Sequence, residues 1–409
     1  MSPCALRRTP RRNSTAWAQG AAVYEQARAT ASETLPSFAS LLTGRFPAGH
    51  GVRGNTGYLL PGNWTLPRIL NELGYESAAF VSSSVLVAGK RGLDNGFTTY
   101  DDTLDHVEPQ RPDNSSRLSP SLARAVNAWL DRRSQASQPW LLWVHCIDPH
   151  GPYNPLPAYE GRFRTERAQL LERALIPPYQ WKGTLDYFRY VDAYDEEITQ
   201  FDTELGPLLT RLSEPPGPRG RIVIFTADHG EQFGEHGSYF MHGNTLHREE
   251  THVPLIWLEV GKTVPHREST PVSLVDIVPT LLERLGVSTT LALDGLTLTQ
   301  RVAQRAPVYS GYRPGEYAVT HDGATLLRDA RREPLAELSY RLADDPKEAR
   351  PIAPSAALIA LLDDFVRHDP IAAVGAAGFE KRQWENQTPE DLESLRSLGY
   401  VGPAPKEKP

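Results

Sequence analysis

Three stretches of this 409-residue sequence hold residue types that can do chemistry. Asp228-His229-Gly230-Glu231 follows the apolar run Ile222-Val223-Ile224-Phe225. A carboxylate and an imidazole in succession at a strand's carboxyl end, with Gly allowing a tight turn, can face one cation. His145, Asp148 and His150 lie close together where a second apolar run leaves for a Pro- and Gly-rich loop. Thr34 heads the third stretch, Thr34–Val52, a loop turning into a short helix. Pro36 suits the first helical position, because its missing N–H has no partner there. Phe38, Leu41 and Leu42 make an i, i+3, i+4 apolar stripe, and Gly44 supplies the stop. The Thr34 hydroxyl then stands at the positive end of a helix, where an anion is stabilised. A Thr in that place also serves as an ordinary cap, so position alone leaves both roles open.

The elements that must position these residues alternate between helix and strand. Apolar Leu66, Ile69, Leu70 and Leu73 predict a helix over Thr65–Leu73, closed by Gly74 and followed by a strand over Glu76–Ser82. Ser121–Arg133 reads as an amphipathic helix and Trp140–Ile147 as a buried strand, which delivers His145 and His150 to the sheet edge where open α/β folds place their sites. Leu185–Leu212 reads as one long helix with Asp195, Glu196, Glu197 and Asp202 largely on its wet side. Arg221–Ala227 is the clearest buried strand. Pro271–Leu285 fits a helix that Asp276 caps, and residues 307–350 suggest a small antiparallel sheet. Tyr153–Lys182 is an insertion suited to a rim over a pocket. Residues 1–33 show no strand, only a short helix over Ala16–Tyr24. Length and alternation predict one large α/β domain with a smaller appendage.

The wording of the motifs adds to this. Thr34-Leu35-Pro36-Ser37-Phe38, closed by Thr43-Gly44-Arg45, resembles the nucleophile motif of the sulfatase family in the alkaline-phosphatase superfamily, Cys/Ser-x-Pro-Ser-Arg followed by Leu-x-Thr-Gly-Arg. Thr34 falls on the Cys/Ser and Phe38 on the first Arg. Because formylglycine is made from Cys or Ser, the resemblance is to the branch in which an ordinary Thr hydroxyl attacks. Leu73–Ser82, Gly92–Asp102, Pro149-His150-Gly151-Pro152, Asp228–Glu231, Phe233–Gly237, His242–Leu246, Asp276–Leu281, Asp344–Glu348 and Asp391–Val401 extend the likeness over residues 9–401. Asn244 stands where relatives often have His, and His247 where they have Tyr.

The resemblance implies an α/β fold with a mostly parallel central sheet, helices on both faces and a small C-terminal α+β subdomain, divided at about 1–300 and 301–409. It implies Thr34 as nucleophile, Asp228 and His229 as ligands of a divalent cation (Ca, Zn or Mn), and Arg45 supporting the nucleophile and its anionic partner. His150 and His242 would contact the substrate oxyanion or protonate the leaving group, and His50 closes the motif or only packs. The substrate would be a small-molecule, glycan or lipid ester. The family's first strand, which ends in paired aspartates, is missing ahead of residue 9, so Met1 is expected not to be where the working protein begins.

Lys and Arg total 43 against 50 Asp and Glu, a net charge of −7, which argues against a nucleic-acid surface. Two cysteines, Cys4 and Cys146, exclude a disulfide framework and a Cys-rich zinc site. No apolar run reaches membrane-spanning length, and no signal peptide is visible; localisation stays open. Asp101 and Asp102 read as a solvated acidic loop. Three function classes remain: a hydrolase, in which Thr34 favours phosphate or phosphonate esters over sulfate; a phosphotransferase using an alcohol as acceptor; and an inactive or binding protein.

Overall fold

Most of the apolar runs become the strands expected of them in the computed structural model, which describes residues 12–370 and 372 apart from 109–110, 134–136, 216–219 and 331–334. In chain order the strands are β1 (Ala22–Arg28), β2 (Glu76–Phe80), β3 (Thr99–Asp101), β4 (His106–Glu108), β5 (Arg111–Ser116), β6 (Trp140–Val144), β7 (Ile222–Thr226), β8 (Gln232–Phe233), β9 (Tyr239–Met241), β10 (His252–Glu259), β11 (His266–Glu268), β12 (Val272–Ser273), β13 (Val308–Ser310), β14 (Glu316–His321), β15 (Ala324–Asp329) and β16 (Ala336–Arg341). The helices are α1 (Arg12–Ala18), α2 (Thr34–Thr43), α3 (Pro47–His50), α4 (Leu66–Glu72), α5 (Ser119–Arg132), α6 (Tyr187–Ser213), α7 (Arg248–Thr251), α8 (Ile277–Arg284), α9 (Leu298–Gln304) and α10 (Ala356–Arg367). Among the described residues no helix is long and apolar enough to cross a membrane.

The α/β architecture stands, and its sheet is divided. One sheet runs β11-β1-β10-β7, with β12 also beside β1; β10 is antiparallel to both β1 and β7. A second sheet, β3-β2-β6, is wholly parallel. The parallel order expected of a single central sheet is therefore confined to this second sheet and to the β1–β11 and β1–β12 pairs. Among the described residues β7 pairs only with β10 and β6 only with β2. Every residue of the apolar β6 is only half-buried, as are four of the five in β7. Both strands read as core on two faces, yet each is a sheet edge here. Their carboxyl ends still converge, since His145 and Asp228 are close enough for their charges to interact.

Strand β1 corrects the expectation that residues 1–33 hold no strand, and α1 ends at Ala18 where a helix was expected to run to Tyr24. The strand was hard to see because its buried apolar residues are small alanines, Ala22 and Ala27, around a polar middle, and its last buried residue is Arg28. A register shift between Tyr24 and Ala27 also breaks the period-two alternation.

Helix α6 overturns a second expectation. Asp195, Glu196, Glu197 and Asp202 are all buried. Loop and turn backbone with no ladder partner needs acceptors, and α6 supplies them. Glu197 accepts from the His150 N–H at 3.0 Å, Glu196 from Phe163 at 3.1 Å and Asp192 from Thr165 at 3.0 Å. Asp202 takes Asn13 and Ser14 of α1 at 3.0 and 2.8 Å. The rim insertion and α1 thus wrap the face that the charge pattern assigned to water.

The C-terminal sheet β13–β16 is antiparallel throughout, as expected. One of its faces packs Tyr317, Val319 and Leu326 against Leu358 and Leu362 of α10. The other meets Ala31 and Leu246, close to both ends of the site. A buried two-pronged ion pair, Arg53 with Asp369, adds a further tie. Asp276 lies in a capping box with Ser273 and is gripped by Arg301. Asp101 pairs with Arg117 and Asp102 accepts from the Ala88 N–H. Cys4 and the motif Asp391–Val401 lie outside the described residues.

Candidate active site

Helix α2 starts two residues earlier than Pro36 suggested. Glu33 is its N-cap position and Thr34 its first residue, with Pro36 third; Gly44, at φ 66°, ends it by bonding to the Ser40 carbonyl. Leu35, Phe38, Ala39 and Leu42 anchor the helix against Val52, Leu59, Val81 and Leu86. Its amino end is held in place by two bonds. The Leu35 N–H reaches Asn55 Oδ1 at 2.8 Å, and Ser37 Oγ donates to the Asp228 carbonyl at 2.6 Å. The second bond fastens α2 directly to the end of β7.

That fastening brings Thr34 Oγ1 within 3.3 Å of His229 Nε2. His229 Nδ1 lies 2.9 Å from the Gly230 carbonyl oxygen. A carbonyl only accepts, so Nδ1 carries a proton and Nε2 is the ring nitrogen that faces the Thr34 hydroxyl. Asp228 Oδ2 is 3.4 Å from the same nitrogen. Three polar atoms therefore converge: a hydroxyl oxygen, an imidazole nitrogen and a carboxylate oxygen. Separations of this size are those of neighbouring ligands around a cation with metal–ligand bonds of roughly 2.0–2.6 Å. Among the described residues no group of three or more His, Cys, Asp or Glu is placed to hold a metal ion; Asp228 and His229 offer two donors. Burial pushes the Asp228 carboxyl up, and His229, His145 and His242 together pull it below its ordinary value. Gly230 is required there by a close backbone approach: a Cβ would stand 2.0 Å from the Glu249 carbonyl oxygen.

His242 stacks obliquely on His229 at 4.2 Å between ring centroids, and His150 approaches His242 edge-on at 5.1 Å. His242 Nδ1 faces Glu231 Oε2 at 3.3 Å, and His150 Nδ1 faces the Gly151 carbonyl at 2.7 Å. In both rings the acceptor fixes a proton on Nδ1. His150 and His242 line a pocket of about 560 Å³ open to solvent, together with Glu231, Tyr179, Gln180 and Arg313. Tyr179 and Gln180 come from the insertion expected to form a rim.

The structure brings Thr34, His150, Asp228, His229 and His242 together. It does not bring Arg45. That residue follows Gly44 at the far end of α2, about 15 Å from Thr34 at the helical rise of ~1.5 Å per residue. There it lies beside Gly49 and Asp294: a Cβ on Gly49 would be 2.9 Å from Arg45 Nε and 2.8 Å from Asp294 Oδ2. His50 is a packing residue. It is buried between Ser40 Oγ at 2.9 Å and the Val52 N–H at 3.1 Å, and burial lowers it to about 3. His145 accepts from the Ser82 N–H and is lowered to about 4 by burial. Asp148 takes bonds from Ser119 and Gln200. Phe38, where the motif has Arg, lies edge-on to Trp143 and His145 at 5.0 and 5.2 Å and packs in the core beneath α2. His247 faces Glu348 instead of the pocket.

Sequence reasoning assigned no role to Glu33, Glu231 or Arg313. Glu33 is buried beside Thr34, accepts from the Asn55 N–H at 2.7 Å and is ion-paired to Arg313. Adjacency to Thr34 was the one available signal for Glu33. Arg313 is 280 positions away, in the turn between β13 and β14, and nothing local marks it.

Comparison with solved structures gives the fold. The chain aligns with a phosphonate monoester hydrolase of Agrobacterium radiobacter at 20% identity and a TM-score of 0.68, over 88% of this chain and 90% of that one. A structure described as a complex with its substrate D-glucosamine-2-N,6-O-disulfate aligns at 17% identity and a TM-score of 0.68, over 93% and 94%. The sulfatase family model matches residues 5–287, and the chain belongs to the sulfatase family. Curated relatives include an arylsulfatase of Clostridium perfringens, 27% identical over 54% of this chain and 51% of its own length. Arylsulfatase K of Bos taurus is 28% identical over 43% of this chain and 37% of its own length. The aligned stretch thus spans about half or less of these two relatives.

Proposed function

We propose that this chain is a hydrolase of sulfate or phosphate and phosphonate esters that uses Thr34 as its nucleophile. The observation that carries this reading is the 3.3 Å approach of the Thr34 hydroxyl to Nε2 of His229, at the amino end of a buried helix. A Thr hydroxyl is a weak nucleophile until a base or a cation favours its alkoxide. Asp228 and His229 would hold a divalent cation, and that ion would supply charge stabilisation to the alkoxide and the ester oxygens.

The protein's own groups account for the remaining steps. The positive end of α2 stabilises the anionic ester. The Thr34 oxygen bonds to phosphorus or sulfur as the bond to the leaving oxygen breaks. His242, oriented by Glu231, or His150, oriented by the Gly151 carbonyl, delivers a proton to that oxygen. Water then cleaves the covalent ester and restores the Thr34 hydroxyl. Thr has no aldehyde-hydrate route for releasing sulfate, which favours phosphorus esters within the family's range. The names of its neighbours, arylsulfatase and phosphonate monoester hydrolase, are compatible with both. Turnover of 4-nitrophenyl sulfate, 4-nitrophenyl phosphate and a phosphonate monoester, each with wild type and Thr34→Ala, tests the proposal. The variant should lose nearly all turnover, and the peptide spanning Thr34 should have the mass of an unoxidised residue.

A further inference from the structure

We propose that Arg313 recognises a second negative charge on the substrate, so that the ester taken by this site is one whose alcohol half itself carries a carboxylate, sulfate or phosphate. The inference rests on the ester-hydrolase reading above and names the substrate class within it.

Arg313 reaches the pocket from the C-terminal sheet, and its guanidinium is held on two sides. One NH2 group is paired with Glu33, and the guanidinium carbon lies 5.1 Å from the centre of the Tyr312 ring. Glu33 is itself fixed, by the Asn55 N–H at 2.7 Å and the Tyr312 hydroxyl at 3.4 Å. A guanidinium carries five N–H donors. Only the one directed at Glu33 has a protein acceptor among the described residues, and the side chain is 29% exposed. The result is a planar fork, pre-oriented by the protein, with most of its donors unspent on the wall of a pocket. Such a fork matches the paired oxygens of a carboxylate, sulfate or phosphate.

The choice between the reacting anion and a second one follows from where the pocket lies. The reacting group must sit at Thr34 Oγ1 and His229, and neither residue lines the pocket. The leaving-group histidines His150 and His242 do line it, as do Tyr179 and Met241 from the rim and the β9 hairpin. The pocket is therefore the place for the alcohol half, and Arg313 is the only Lys or Arg among its lining residues. The carboxylate on the same wall, Glu231, faces His242 and does not cancel the fork.

The test uses matched esters: phenyl phosphate and phenyl sulfate against the same esters bearing a ring carboxylate or a second sulfate. Wild type should show kcat/KM at least 10-fold higher for the doubly anionic esters, and the carboxylate and sulfate arms identify which group is preferred. Arg313→Gln should bring that ratio to about 1, and Arg313→Lys should keep part of it. Melting temperatures of both variants confirm that they fold. A wild type with no charge preference, or an Arg313→Gln variant that loses both esters of a pair equally, overturns the inference. If wild type turns over none of the esters, the hydrolase reading fails on its own. Binding of 4-hydroxybenzoate against phenol then decides the role of Arg313: the inference needs at least 10-fold tighter binding of 4-hydroxybenzoate, lost in Arg313→Gln, and equal binding by wild type and variant overturns it.

Discussion

Helix α6 and the head of α2 both bury carboxylates, and to a similar extent: Glu196 and Glu197 are each 4% exposed, Glu33 3% and Glu231 5%. Their partners differ in kind. The α6 carboxylates accept from backbone N–H groups of His150, Phe163, Thr165 and α1, which cannot change their protonation. The carboxylates near α2 face side chains that carry or exchange protons: Asp228 faces His229, Glu231 faces His242 and Glu33 faces Arg313. Burial alone does not mark a site. A carboxylate braced by amides positions a loop, and one set against an imidazole sets a charge where a reaction can use it.

Substitutions should separate the two groups. Asp228→Ala should cost the most in rate, on the order of 10³-fold if a cation is held there, with metal content falling in parallel. Unchanged metal and unchanged rate would remove Asp228 from the site. Glu231→Gln comes next. It should leave His242 misoriented and lower the rate by roughly 10–10²-fold, more for leaving groups of high pKa than for activated ones. Equal losses on both kinds would make the Glu231–His242 pair a positioning device only.

On the α6 side the effect should appear in stability. Glu197→Ala removes the acceptor of the partly buried His150 N–H and should cost about 1–3 kcal/mol in denaturant unfolding, with a secondary loss of rate through His150. A loss of rate with unchanged stability would move Glu197 into the other group. His50 provides the pH dependence. Burial lowers it to about 3, so between roughly pH 3 and its unfolded value near 6.5 the unfolded chain binds the additional proton. Its contribution is present above the unfolded value and is lost as pH falls through that window. Acid unfolding should accordingly be less steep in His50→Asn than in wild type. The smallest effect should come from Arg45→Gln. Far from Thr34, it should leave kcat within about twofold while lowering stability by roughly 1 kcal/mol or less.

Much of the site was legible because its residues sit in short contiguous motifs at strand and helix ends. Thr34, Asp228, His229 and His242 were readable that way, and so were the strands and helices that carry them. The rest depends on partners distant in sequence. A helical charge pattern says nothing about a loop that will wrap it, which is why α6 read as solvated. An alanine-rich strand with a shifted register has no apolar alternation to detect, so β1 was missed. Arg45 shared a motif with Thr34, but a ten-residue helix separates them in space. Arg313 reaches Glu33 only because a sheet 280 residues later folds against the site.

The central claim is that Thr34 becomes covalently esterified during turnover. Quenching wild type in the steady state with an aryl phosphate or aryl sulfate and mapping its peptides by mass tests this most directly. The account predicts a phosphate or sulfate on the peptide that begins α2, localised to Thr34 and absent from Thr34→Ala. Turnover with Thr34 never modified, or a Thr34→Ala variant that keeps more than a few per cent of wild-type rate, would contradict it.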